Sequence, residues 1–160
     1  MNNIIERNNI QVDGYYKLQC HNADGSLKWE KDIGHNVVTY AGKALAATLL
    51  GGTGTAFRYL ALGTGATAES ASQTALVSEL NSAGLSRASA TQSVVTNSST
   101  GDTRRFVTVW TCSLNTTVQE IGLFNSATYN SGTMFSRKLT GATAVLATET
   151  LTATYDIIFS

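Results

Sequence analysis

The sequence predicts a mainly β domain, a β-sandwich or jelly-roll-like barrel with one short helix and an N-terminal arm. Three observations carry this: apolar side chains that alternate with period two, turn signals at near-regular intervals, and a single segment of helical period. Residues 1–10 are polar and unpatterned, with Asn2, Asn3, Asn8 and Asn9 around Ile4 and Ile5. They read as an arm, expected to become ordered only against something else. Tyr16, Leu18 and Cys20 then alternate with Tyr15, Lys17 and Gln19, which marks a half-buried strand. Asn22-Ala23-Asp24-Gly25 supplies tight-turn chemistry, and Leu27 and Trp29 resume the alternation against Lys28 and Glu30, so 15–32 is a hairpin.

From Asn36 to Leu50 the period changes. Val37, Val38, Ala41, Ala44, Leu45, Thr48 and Leu49 recur at three and four, and Gly51-Gly52 stands where a helix should stop. Phe57–Leu62 reads as a strand broken by Gly63-Thr64-Gly65, and a helical turn is expected around 74–80. Strands follow at Leu85–Thr96, Arg104–Cys112, Val118–Phe124 and Met134–Leu139, with a turn at 97–102 and a loop at 125–132. Phe106, Thr108, Trp110 and Cys112 share one face of their strand and Val107, Val109 and Thr111 the other, which predicts cover on both sides. Leu151, Ala153, Tyr155, Ile157 and Phe159 close the pattern. With no internal repeat and no linker, 11–160 reads as a single β-rich domain behind the arm.

Composition narrows the function. The chain has 160 residues, 42% hydrophobic and 14% charged, with 14 glycines, no proline and a formal net charge of +0. Nucleic-acid partners are disfavoured without a basic excess, and no apolar run approaches the roughly 20 residues that cross a bilayer. About 25% charged is ordinary. So neutral a surface favours association, and small hydroxyl side chains lose little entropy when an interface orders them. The expectation is a surface meant to be covered; the alternative is a secreted or merely Thr-rich β-protein.

No catalytic pattern emerges. His21 and His35 have no serine elbow to serve. Cys20 and Cys112 are too few for a disulfide framework or a zinc site and read as buried apolar residues. Gly51-Gly52-Thr53-Gly54 and Gly63-Thr64-Gly65 lack the Lys-Ser/Thr of a phosphate loop, and Gly42-Lys43-Ala44 lies inside the helical segment. Asn22-x-Asp24-Gly25 echoes a calcium loop, but Cys20 and Lys31 fall where carboxylates are needed. The acids are scattered, with no short-range pair for glycosidase work. Asn97-Ser98-Ser99 and Asn115-Thr116-Thr117 match the glycosylation pattern, which matters only in a eukaryotic secretory setting. No cofactor and no metal are expected. Arg104-Arg105 is a dibasic step on a strand, aiming one arginine outward, either at a partner's rim or into solvent.

Two stretches resemble tailed-phage virion structural proteins. The first runs Gly14–Glu30, ending in Asp24-Gly25-Ser26-Leu27-Lys28-Trp29, and continues in Asn36-Val37-Val38-Thr39-Tyr40-Ala41-Gly42-Lys43. The second comprises Tyr59–Gly65, Thr74-Ala75-Leu76, Glu120-Ile121-Gly122-Leu123-Phe124-Asn125 and Gly132–Arg137. That order is similar to capsid cement (decoration) proteins and to the collar region of tail fibres. The resemblance implies a non-enzymatic β-rich protein of the virion, often a homotrimer, that binds and stabilises the outside of the major capsid protein shell. A tail fibre would run on beyond this module, so a last strand ending at Ser160 favours the compact clamp. The expected partner interface is Asn2, Asn3, Ile4, Ile5, Arg7 and Arg104, the arm reaching over a neighbour or adding a strand to its sheet edge. The rival readings are a tail-fibre base, adaptor or neck component, and a carbohydrate-binding β-sandwich using Trp29, Tyr40 or Tyr129 as a sugar platform.

Overall fold

A computed structural model describes residues 11–160; the expected arm, with Asn2, Asn3, Ile4, Ile5 and Arg7, lies outside the described residues. In chain order the elements are β1 (Val12–His21), β2 (Leu27–His35), β3 (Val37–Val38), α1 (Tyr40–Leu50), β4 (Tyr59–Gly63), β5 (Ala88–Ser89), β6 (Thr91–Val95), β7 (Thr103–Thr111), β8 (Thr116–Phe124), β9 (Met134–Val145) and β10 (Thr150–Phe159). They build two five-stranded sheets, ordered β2-β1-β10-β7-β6 and β3-β9-β8-β4-β5, every pairing antiparallel. The fold is a β-sandwich with one short helix, and its sheets do not close into a barrel.

The core lies between the sheets. Tyr16, Leu18 and Cys20 from β1 and Leu151, Ala153 and Tyr155 from β10 meet Leu60, Leu62, Ile121 and Leu123 from the other side. Tyr16 and Tyr155 stack with centroids 4.0 Å apart, and Tyr16 reaches across the sandwich to the Ser136 hydroxyl at 3.2 Å. The hairpin expected over 15–32 is present, with Gly25 at φ 84° as its turn requires and Asp24 accepting from the Ser26 amide and hydroxyl.

Several expectations change. The helix begins at Tyr40, because Val37 and Val38 pair with β9 and Thr39 caps the helix by accepting from the Gly42 amide at 2.9 Å. It stops at Gly51-Gly52 as expected. No helical turn forms at 74–80, where the amides of Val77 and Ser78 go to a side chain. The stretch expected as one strand from Leu85 is split at Ala90: β5 joins β4 in one sheet and β6 joins β7 in the other. β9 also runs on to Val145, past the expected end at Leu139, around a bulge with Gly141 at φ 64°.

Cover on both faces falls to different strands than expected. On β7 the outer face is open, with Val109 60% exposed. On β8, by contrast, every residue from Glu120 to Phe124 is buried, and so is Leu60–Gly63 of β4. The covering layer is the long connection 64–87, a strap whose Leu76 packs on the outer face of the second sheet before Leu85 turns into the core between the sheets. Beneath it Ala61, Leu76, Phe124 and Met134 form a second, smaller apolar cluster.

Candidate functional site

Buried charge is the first place to look for chemistry. Glu120 on β8 and Arg137 on β9 are fully buried, 2.7 Å apart. Glu120 also accepts from three strap amides: Gly65 (3.0 Å) and Ser78 (2.7 Å) on Oε1, and Val77 (3.0 Å) on Oε2. Arg137 Nη1 donates to the Thr67 carbonyl and to Gln73 Oε1. A Cβ on Gly63 or Gly65 would fall about 2.5 Å from Glu120 Oε1, so these glycines admit a carboxylate rather than a phosphate.

Arg87 and Glu79 repeat the arrangement at the far end of the strap. They form a two-pronged pair at 2.8 and 2.7 Å, with Arg87 lying over the Phe124 ring at 3.8 Å and also holding the carbonyls of Ser126 and Ser131. Both carboxylates are occupied by donors that fasten loops to the sheet. What they do is hold the strap.

A third buried acid, Glu149, binds Lys28 and accepts from Cys20 at 3.4 Å. Burial pushes its carboxyl up, but the Leu146 amide, Lys28 and Cys20 outweigh that and leave it below the ordinary value. Burial and the bond to Glu149 push the Cys20 thiol up to about 11, and burial also raises that of Cys112. Both cysteines are free and buried, as the sequence suggested.

His21 and His35 make no hydrogen bond to a hydroxyl or thiol among the described residues; His35 is exposed beside Asp13. Among those residues no three His, Cys, Asp or Glu side chains gather as a metal site, and no helix is long and apolar enough to cross a membrane. Trp29 packs against the core under Lys31, Tyr40 opens α1, and Tyr129 lies in the loop after β8. No ring contact joins any two of the three.

The remaining candidate is an apolar groove between α1 and the end of the sandwich where β1 starts and β10 finishes. Two adjoining hollows of about 340 and 740 Å³ share Val12, Ala46, Leu50, Phe135 and Phe159. Phe57, Phe106 and Ile157 floor the smaller one, and Gln11 lines the larger. Leu50 is 90% exposed and Phe159 48%. Two cations stand at the rim. Lys43 borders the larger hollow and Arg104 the smaller, where Arg104 donates to Gln92 Oε1 at 2.8 Å.

The dibasic step thus divides as alternation requires. Arg105 points outward and pairs with Asp156, while Arg104, from the expected interface, turns toward the groove. Sequence reasoning missed Lys43 and Leu50 as groove residues. The available signal was the solvent face of α1, where Tyr40, Lys43, Ala44, Ala47 and Leu50 carry a single charge between them. No protein-family model, curated protein or solved structure matches this chain.

Proposed function

We propose that this chain is a structural component of a tailed-phage virion: a homotrimeric cement protein that binds the outside of the major capsid protein shell, stabilises it and performs no catalysis. The observation that carries this reading is the apolar groove, with Val12, Leu50 and Phe159 left in solvent on a chain only 14% charged. Exposed apolar surface of this kind marks an interaction site, contact between proteins among the uses it serves. Leu50, 90% exposed, contributes about 1.5–3 kcal/mol to a contact that covers it, and Val12 and Phe159 contribute less because half or more of each is already buried. Repetition around a shell multiplies weak contacts through avidity.

The interior supports the same reading. Its buried carboxylates are committed to loop amides and arginines, and its thiols are held protonated. The resemblance of Gly14–Glu30, Asn36–Lys43, Tyr59–Gly65, Thr74–Leu76, Glu120–Asn125 and Gly132–Arg137 to virion proteins supplies the setting.

The test is the copy number of the chain in purified particles, together with light scattering of the free protein. The reading expects hundreds of copies per particle, a trimer in solution, and shells that resist heat better after the protein is added back. A copy number matching one small ring moves the protein to the tail. A strict monomer that ignores the shell overturns the proposal.

A further inference from the structure

We propose that the outer face of the first sheet, β2-β1-β10-β7-β6, is the surface by which copies of this chain pack on one another around a three-fold axis, with β10 nearest the axis. This rests on the homotrimer of the virion reading and names the face that builds it, leaving the groove beside α1 free for the shell. The two sheets differ in their cover. The strap shields β8 and β4 of the second, whereas Thr152, Thr154, Val107 and Val109, in the middle of the first, all reach solvent, Val109 at 60%.

Register sets what this face carries. Its side chains line up in rows, Gln19–Thr152–Val109 and Lys17–Thr154–Val107–Thr91, on the side opposite the inward set of Leu18, Ala153 and Phe106. The middle of each row is threonine and valine. Such β-branched side chains are stiff before any contact and lose little rotamer freedom when covered.

Charge points to a second copy as the occupant. A face that meets itself around an axis has to be neutral, since any unbalanced charge there stands against its like. Lys17 and Arg105 are the Lys and Arg side chains directed outward from β1, β10 and β7, and each is matched within the face, Lys17 by Glu30 at 2.8 Å and Arg105 by Asp156 at 2.6 Å. Asp13 and Asp32 sit toward the rim, beside His35 and the Gly34 amide. Size agrees. Five strands about 4.8 Å apart span about 19 Å, and ten-residue β10 runs about 30 Å, so one face offers at most about 600 Å². Three faces closed around one axis bury at most about 1,700 Å², within the roughly 1,200–2,000 Å² of a specific interface.

The test is light scattering of the full-length protein with substitutions at Thr154, half-buried at the centre of the face. Thr154→Glu adds a carboxylate that Lys17, directly opposite on β1, accommodates within one copy, but that meets two of its own kind at the axis. The trimer should weaken at least about 100-fold, leaving a monomer with the parent's circular dichroism spectrum. Thr154→Cys brings three thiols together, so mild oxidation should link chains in pairs on a non-reducing gel, while buried Cys20 and Cys112 leave the parent unlinked. Leu50→Gln, in the groove, should stay trimeric. A folded Thr154→Glu protein that remains a trimer overturns the proposal, whether or not it still binds shells, and so does a Thr154→Cys trimer that forms no link. The cysteine result decides alone where the glutamate variant loses its fold. A monomeric Leu50→Gln protein moves the contact to the groove and also overturns the proposal. Each of these leaves the virion reading standing, whereas a parent that scatters as a monomer overturns both.

Discussion

Glu120 and Arg137 form a pair in which one partner matters more than the other. Replacing Glu120 by Gln keeps the shape but removes the charge and one acceptor oxygen. Arg137, fully buried and with Nη2 already unpartnered, would then hold an uncompensated cation. At least one of the amides of Gly65, Val77 and Ser78 would face an NH2 group instead of an acceptor. Breaking a buried pair from one side costs about 3–5 kcal/mol. At roughly 2–4 °C per kcal/mol for a chain of this size, the melting temperature should fall by about 6–20 °C.

Arg137→Met should cost less, because Glu120 keeps three amide donors that stabilise its charge, and a carboxylate so held needs no cation. Urea unfolding of both variants gives the two free energies. Hydrogen exchange shows where protection is lost, which should be the strap 64–87 before the inter-sheet core. An E120Q protein within about 1 kcal/mol of the parent would refute the reasoning, since a single net hydrogen bond is worth that much. So would an R137M protein less stable than E120Q.

Gly42→Ala should destabilise by about 1–3 kcal/mol in thermal melts despite the helix propensity gained, because the new Cβ would sit 2.5 Å from the Phe135 carbonyl oxygen and force α1 off β9; a stabilised variant would count against that packing. Asp102 accepts from the amides of Ser99, Asn97 and Ser98, which hold its carboxyl well below the usual carboxylate range. Its contribution is therefore complete above about pH 5 and is lost as pH falls below the unfolded value of about 3.9. The gap between parent and Asp102→Asn melting temperatures should shrink over that acid range, and a gap constant down to pH 2 would contradict it. Cys20 and Cys112 should resist a thiol reagent at pH 8 in the folded protein and react fully in denaturant, since burial keeps both protonated. Rapid labelling without unfolding would show the core to be open.

What could be read from the sequence was whatever the backbone decides locally. A strand's pleat sends Tyr16, Leu18 and Cys20 to one face whatever lies opposite, so β1 and β10 and their inward sets were legible, as were the Gly25 turn and the Gly51-Gly52 stop. The inert character of the cysteines followed from the same alternation. The candidate site was legible only in part: Arg104 was named, but the groove it borders also needs α1, β1, β9 and β10 brought to one end of the sandwich.

Tertiary pairing decided the rest, because it joins residues far apart in the chain. Glu120 meets Gly65 across 55 positions and Arg137 across 17, so no window of sequence showed that a carboxylate would replace the missing ladder of the strap. Ala90 gave no sign that two sheets would divide the strands beside it, and Val107 and Val109 looked as coverable as Gly122 and Phe124. Period and propensity say which way a side chain points; what lies there depends on contacts between distant segments, each bought with loop-closure entropy that local pattern does not encode.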